Sequence, residues 1–150
     1  AFAAAQLDPR TMQRLDGWRK ALKAAKRYDK ALAYTHKSAS PMALGGQMLA
    51  QILKNDPKVD AIFFCNDDLA QGALLAAQRL KIKVPQQLAM AGFNDLTGSD
   101  LIGPGLTTIR TPRAEIGQAA AQMLLALMRQ EDVLTPNVDV GYELMVRGST

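Results

Sequence analysis

The chain has 150 residues, of which 48% are apolar and 21% are charged, a balance typical of one soluble globular domain. No apolar run approaches the ~20 residues of a membrane-spanning helix, and the first residues lack the basic character of a secretion signal. We therefore expect a cytoplasmic protein that does not contact membranes. The net charge of +4 is uneven, because nine Lys and Arg accompany three Asp up to Lys37, and nine accompany eleven acidic residues after it.

The composition gives no indication of a metal site, a cofactor or a disulfide. The single cysteine, Cys65, lies in an apolar run and is expected to pack as a small hydrophobe in its reduced form. The single histidine, His36, cannot build a multi-histidine site, and no cysteine spacing matches a zinc motif. No Gly-x-Gly-x-x-Gly turn follows a strand. The basic residues near the start are interpreted as a solvated helix face, because no aromatic residues are interleaved with them.

Apolar residues alternate between short continuous runs and helical spacing, which is typical of βαβ units around a buried parallel sheet. Strands are predicted at 1–4, 32–35, 61–65, 88–93, 106–109 and 138–146, and helices at about 11–26, 41–55, 69–80 and 112–129. Trp18 is predicted to pack in the core. Ser40 is predicted to cap the second helix, with Pro41 at its first position. The pattern predicts an α/β fold in which helices flank a parallel sheet.

Four loops at the carboxyl ends of the predicted strands carry polar side chains. Ligands of open parallel sheets bind at these ends, because loops and helix N-termini present unpaired backbone donors there. Asp and Asn accept hydrogen bonds from vicinal hydroxyls, while Arg offers a planar fork for a carboxylate or phosphate. The loops hold Asp8, Arg10 and Arg14; His36, Ser38 and Ser40; Asn66, Asp67 and Asp68; and Asn94 and Asp95. This mixture predicts a crevice for a hydroxyl-rich, anionic small molecule, although each side chain also suits a plain helix cap.

An enzyme is the alternative from a different functional class. Asp67 and Asp68 are a carboxylate pair of the kind used in acid/base or magnesium chemistry. Adjacent residues at a strand end point in different directions, so one of the two is more simply explained as a cap. We therefore expect a protein that is not an enzyme. A small α/β hydrolase or transferase acting on a sugar acid, and a transport-type sugar-binding protein, remain as alternatives.

Several segments together resemble the core of LacI-type bacterial repressors, at consistent spacing along essentially the whole chain. They are FFCNDDLAQGA at 63–73, VP at 84–85, MAGFND at 90–95, LTTI at 106–109 and the RxxGW motif at 14–18. In that family a DNA-binding helix-turn-helix precedes a two-lobed sensor, similar to periplasmic sugar-binding proteins, with the effector between the lobes. The resemblance implies that 1–150 are the carboxyl-terminal part of this sensor. It also implies a homodimer that contacts operator DNA only through a segment outside this chain.

The resemblance further implies that the segment 112–131 packs toward the other lobe. The helix predicted there is amphipathic, and its apolar residues Ile116, Ala120, Met123, Leu124 and Leu127 are expected to face inward. Without the other lobe, Ile116, Met123 and Leu127 would be exposed. The chain alone is then expected to aggregate or to pair with a second copy.

Within the family, LDPRT at 7–11, IRTPRAEIG at 109–117 and TPNVDVGYEL at 135–144 look most like gluconate-operon repressors. Family members usually have an aspartate directly after the Gly-aromatic pair, where this chain has Asn94 and then Asp95. Loss of that carboxylate removes repulsion toward an anion and favours a sugar acid such as gluconate. The implied effector-binding residues are Arg10, Thr11 and Arg14, which would contact a carboxylate or hydroxyl, and Ser40, Asn66, Asp67 and Asn94.

Overall fold

Strands and helices alternate along the chain except between the fourth and fifth strands, which a loop connects, and the computed structural model describes all 150 residues. The elements are β1 (Phe2–Ala5), α1 (Pro9–Ala24), β2 (Ala33–His36), α2 (Met42–Asn55), β3 (Ala61–Phe64), α3 (Asp67–Arg79), β4 (Ala89–Asn94), β5 (Thr107–Arg110), α4 (Arg113–Met128) and β6 (Glu143–Met145). The predicted α/β fold is confirmed. The strand predicted over 138–146 was too long, because only the three residues of β6 pair with the sheet.

The six strands form one sheet in the order β2-β1-β3-β4-β5-β6. The first five are parallel to their neighbours, whereas β6 runs antiparallel to β5. This difference from a purely parallel sheet follows from α4, which makes no extensive contact with any strand. Because α4 does not cross back over the sheet, the chain re-enters at the end it left and must run in the opposite direction.

The strand order reverses between β1 and β3, since the chain passes from β1 to β2 on one side and continues through β3 on the other. Right-handed crossovers then place α1 on one face of the sheet and both α2 and α3 on the opposite face. A crevice opens at such a reversal, outside the carboxyl ends of the strands. The fold thus determines where a ligand would lie.

The hydrophobic core joins the sheet to its flanking helices. Its largest fully buried apolar side chains are Phe2, Phe64, Leu49, Ile52, Ile62, Leu69, Leu74, Leu88, Met90 and Leu106. Trp18 is half-buried against this core, with its ring centroid 5.7 Å from that of Phe2. Cys65 is fully buried, as expected for a packed thiol, and burial raises its pKa. The predicted packing roles of Trp18 and Cys65 are confirmed.

No residue of α4 is buried, so this chain does not cover the face that was predicted to lie inward. The exposure expected without the other lobe is confirmed for Ile116 and Leu127. Ile116, Leu124 and Leu127 are 46%, 59% and 61% exposed. The sequence pattern identified the helix, but no other part of this chain covers its apolar side chains. Packing of α4 against a second lobe stays a prediction. None of the four α-helices combines the length and the apolarity needed to cross a membrane.

Asp67, the first residue of α3, is fully buried and joins three segments of the fold. Its Oδ2 accepts hydrogen bonds from the backbone N–H of Leu96 at 2.8 Å and from the hydroxyl of Ser99 at 3.0 Å. Its Oδ1 accepts one from the hydroxyl of Thr108 at 2.6 Å. Gly92 lies beside it on β4, where any Cβ would overlap the Asp67 carboxylate. The loop after β4 is therefore tied to α3 and to β5.

Two glycines allow α2 and α3 to pack closely. A Cβ on Gly45 would overlap the backbone carbonyl of Leu69, and a Cβ on Gly72 would overlap that of Met42. Gly17, in α1, has nothing within 4 Å of the corresponding position. These three helical glycines thus differ in the space around them, although the sequence alone does not distinguish them.

We expect Gly45→Ala and Gly72→Ala each to lower the free energy of unfolding by about 2 kcal/mol or more, because the added methyl group forces α2 and α3 apart. Gly17→Ala should raise it by about 0.5–1 kcal/mol, because alanine is the better helix former where space is open. Urea denaturation of the three variants tests both signs. Equal effects at all three positions would contradict the close packing.

Replacing Asp67 by alanine should lower the free energy of unfolding by about 3 kcal/mol or more, because the buried hydroxyls of Ser99 and Thr108 and the half-buried N–H of Leu96 lose their acceptor at about 1–3 kcal/mol each. The matched control is Asp100→Ala, an exposed acid in the same loop region, which should change stability by less than about 0.5 kcal/mol. Thermal and urea denaturation measure both. Similar effects of the two substitutions would show that Asp67 does not hold the loop.

Candidate functional site

A polar crevice of about 220 Å³ lies at the carboxyl ends of the central strands, at the reversal of strand order. Its walls come from the segment after β1, the loop before α2, the start of α3 and the end of β4. The lining residues are Ala5, Gln6, Asp8, Arg10, Thr11, Arg14, Ser40, Asn66, Asp68 and Asn94. They include every residue predicted to bind the effector except Asp67. We call this site the strand-end crevice.

The first wall is the N-terminus of α1, which Asp8 caps. Its Oδ1 accepts from the backbone N–H of Thr11 at 2.8 Å, and its Oδ2 accepts from Arg10 at 3.0 Å. The Thr11 hydrogen bond, helped by Arg10, lowers the pKa of Asp8 to about 2. The charge of Arg10 therefore already has a partner, and its side chain is 77% exposed at the rim of the crevice.

Arg14, one helical turn further along α1, is the cation in the crevice that has no acidic partner. Its Nη1 donates to the backbone carbonyl of Cys65 at 2.7 Å, and its guanidinium carbon lies 3.9 Å from the centre of the Phe93 ring. No carboxylate lies within 4.0 Å of it. Burial lowers the pKa of Arg14 below its ordinary value, yet a guanidinium remains charged. A charge that is half-buried and held in place in this way favours an anionic ligand.

Ser40 and Asn66 form a second wall by contacting each other. Asn66 caps α3 through Oδ1, which accepts from the backbone N–H of Leu69 at 3.1 Å, and its Nδ2 donates to the Ser40 hydroxyl at 2.8 Å. The prediction that Ser40 caps α2 is wrong. The helix is capped by Pro41, which has extended geometry and offers no side-chain hydrogen bond. Ser40 does not cap the helix, because its hydroxyl is turned toward Asn66. Both residues line the crevice, as predicted.

Asn94 ends β4 and leads into a left-handed stretch of backbone. Its φ is 118° and that of Asp95 is 52°, and Asn and Asp are the non-glycine residues that tolerate positive φ best. Asp95 is turned away from the crevice and accepts from Arg110 and Arg147, both at 2.7 Å. Burial alone would raise the pKa of Asp95, but Arg147 and Arg110 outweigh it and hold the pKa below its ordinary value.

Four residues of the predicted polar loops lie outside the crevice, and Asp95, described above, is one of them. Asp67 is buried beneath it, and the three hydrogen bonds described above occupy both of its oxygens. His36 and Ser38 contact each other at the surface, with Nδ1 and the hydroxyl 2.8 Å apart. Asp67 was predicted to bind the effector, yet it does not line the crevice.

Asp68 lines the crevice in place of Asp67. It was predicted to belong to the polar loops, and to a carboxylate pair in the enzyme alternative, but not to bind the effector. Its side chain is half-buried and makes no hydrogen bond with another residue's side chain or backbone. Burial and the neighbouring Asp67 raise the pKa of Asp68. The sequence feature that could have identified Asp68 is the run Asn-Asp-Asp after β3. In this run Asn66 caps α3, Asp67 turns into the core and Asp68 turns toward the crevice.

The comparisons with known proteins agree with this architecture. The periplasmic binding protein-like domain family matches residues 1–150. The chain is 52% identical over its whole length to the HTH-type transcriptional regulator GntR of Pseudomonas aeruginosa PAO1 and covers 44% of that protein. The crystal structure of transcription regulator GntR from Chromobacterium violaceum is 48% identical, with a TM-score of 0.97 over 99% of this chain and 55% of that one. A complex of the transcriptional regulator CelR with cellobiose is 27% identical, with a TM-score of 0.85 over 99% of this chain and 46% of that one.

The chain therefore spans about half the length of the proteins it matches. Its relatives are LacI-family regulators, as the resemblance of the motifs implied. The matched region contains the sheet, its flanking helices and the strand-end crevice. The chain belongs to the periplasmic binding protein-like domain family, in the form that serves as the effector-binding domain of LacI-family transcriptional regulators.

Proposed function

We propose that this chain senses a sugar acid, such as gluconate, on behalf of a LacI-family transcriptional regulator. The observation that carries the proposal is Arg14, whose guanidinium lies in the strand-end crevice with a backbone carbonyl and a ring as its partners and no carboxylate. An anionic group of a ligand would supply the missing countercharge. Arg–carboxylate contacts are the stronger, often bidentate kind of hydrogen bond.

The remaining polar groups of the crevice suit hydroxyls. Asn94 and Asp68 keep their side-chain acceptors free of hydrogen bonds to other residues, and the Ser40 hydroxyl can still donate its proton. No carboxylate occupies position 94, and the neighbouring Asp95 is held outside the crevice by Arg110 and Arg147. A polyhydroxy chain with one carboxylate matches this arrangement. The related CelR complex contains cellobiose, which is itself hydroxyl-rich.

The enzyme alternative loses its proposed catalytic pair. Asp67 is sealed in the core with both oxygens occupied, while Asp68 alone faces the crevice. Paired acid/base chemistry needs two groups that reach the same ligand atoms. We therefore propose a binding protein that is not an enzyme.

The matched relatives are more than twice as long as this chain. We propose that the whole protein adds a second lobe, which closes the strand-end crevice and covers the exposed residues of α4, and a helix-turn-helix that binds operator DNA. We further propose that it is a cytoplasmic homodimer. In this arrangement the crevice forms one wall of the effector cleft, so the binding experiments below use the whole protein.

We expect Arg14→Ala in the whole protein to weaken gluconate binding by about tenfold to 150-fold, because a charge-assisted contact contributes about 1.5–3 kcal/mol. The matched control is Arg19→Ala, which removes an arginine from the same helix where it pairs with Asp16 outside the crevice. That control should bind gluconate normally. Calorimetric titration with gluconate, phosphogluconate and glucose measures each affinity.

Gluconate binding no tighter than glucose binding would overturn the sugar-acid proposal. An unchanged gluconate affinity in Arg14→Ala would remove the role of Arg14. An equal loss of gluconate affinity in Arg14→Ala and Arg19→Ala would show that the loss comes from the lower net charge of the protein and not from a contact at Arg14.

Operator binding separates the roles of this chain and the whole protein. The 150-residue chain should not retard a defined operator fragment specifically, whereas the whole protein should, and gluconate should change that retardation. The Arg14→Ala protein should still bind the operator but respond only at higher gluconate concentration. Specific retardation by the 150-residue chain alone, persisting as salt is raised, would contradict the proposal.

A further inference from the structure

Most polar side chains of the strand-end crevice are already engaged by the protein itself. Asp8 caps α1 and pairs with Arg10, while Asn66 caps α3 and donates to Ser40. Arg14 uses one donor on a backbone carbonyl and keeps the others. The side chains with unused hydrogen-bonding capacity are Gln6, Arg14, Asp68 and Asn94, and the Ser40 hydroxyl can still donate its proton. The two charged members of this set differ in sign, and they do not form an ion pair with each other.

Asp68 is positioned by the N-terminus of α3, the same turn that places Asp67 in the core. Asn66 caps α3, so Asp67 is the first residue of the helix and Asp68 the second. The dipole of the helix favours a negative charge at this position. Burial and the charge of Asp67 raise the pKa of Asp68, and no cation counteracts them. The carboxylate therefore stands in the crevice without a countercharge from the protein.

A ligand that satisfies both charges must have two unlike ends. Its anionic group belongs at Arg14, and its hydrogen-bond donors belong at Asp68, because an ionised carboxylate can only accept. Sugar hydroxyls are donors of this kind, and two adjacent hydroxyls can each donate to one oxygen. A second carboxylate at that end of the ligand would bring no donor and would face a like charge in a partly desolvated site.

We propose that Asp68 determines specificity in the strand-end crevice by accepting hydrogen bonds from the hydroxyl end of a linear sugar acid and by rejecting ligands with a second anionic group there. The inference rests on the proposed function, since it assumes that Arg14 holds the carboxylate of the effector. It adds a repulsive element to the site, which is a common source of discrimination between similar ligands. Gluconate and its dicarboxylic counterpart glucarate differ in this one feature.

The test is calorimetric titration of the whole protein with gluconate, glucarate and glucose, for the wild type and for Asp68→Asn. The wild type should prefer gluconate over glucarate by at least about tenfold, equivalent to about 1.4 kcal/mol. Asp68→Asn should reduce that ratio at least about tenfold and bind glucarate more tightly than the wild type does, because the amide removes the charge and can donate to a carboxylate. The matched control Asp100→Asn makes the same charge change outside the crevice and should leave the ratio unchanged.

The outcomes separate this inference from the proposed function. If the wild type binds gluconate no more tightly than glucose, the proposed function fails and the inference fails with it. If the wild type prefers gluconate over glucose but Asp68→Asn leaves the gluconate-to-glucarate ratio unchanged, the inference alone is overturned. Circular dichroism checks the fold of each variant. Should Asp68→Asn not fold, Asp68→Ser removes the same charge and gives the same comparison.

Discussion

The carboxylate of Asp67 accepts hydrogen bonds from the backbone of Leu96 and the hydroxyls of Ser99 and Thr108, groups that lie 29 to 41 residues away along the chain. These contacts hold the start of α3, the loop after β4 and strand β5 in one arrangement. Because Asp67 turns into the core, its neighbours Asn66 and Asp68 face the crevice on either side of it. Gly92 leaves room for the carboxylate. The positions of the crevice walls therefore depend on Asp67, although Asp67 itself does not line the crevice.

The charges around the crevice follow a consistent scheme. Asp8 neutralises Arg10 at the rim, and Arg110 and Arg147 hold Asp95 outside. What remains inside is one guanidinium, held by the Cys65 carbonyl and the Phe93 ring, and one carboxylate. Neither charge is cancelled by the protein. The proposed preference for a molecule with one acidic end rests on this arrangement as a whole and not on any single contact.

Much of this architecture could be predicted from the sequence, because the period of apolar residues identifies strands and helices, and parallel strands bring their carboxyl ends together. The segments at the strand ends that contain Arg14, Asn66 and Asn94 were found in this way. The exchange of roles between Asp67 and Asp68 could not be predicted. Adjacent residues at a strand end point to opposite sides, and only the positions of Ser99 and Thr108 decide which one turns inward. The direction of β6 and the exposure of α4 likewise depend on contacts between distant segments, which periodicity does not report.

The ion pairs of Asp95 lie where the chain leaves the sheet for α4 and where it returns from α4. Arg110 ends the strand that leads out to α4, and it contacts both Asp95 and Glu143, the first residue of the returning strand. Both connections are thus fastened together at the edge of the sheet, next to Asn94 and the crevice. Residues 111–112 join β5 to α4, and residues 129–142 join α4 to β6. Asn94 pairs with Arg110 in the sheet, so a rearrangement at this end of the crevice would act at the point where α4 joins the sheet.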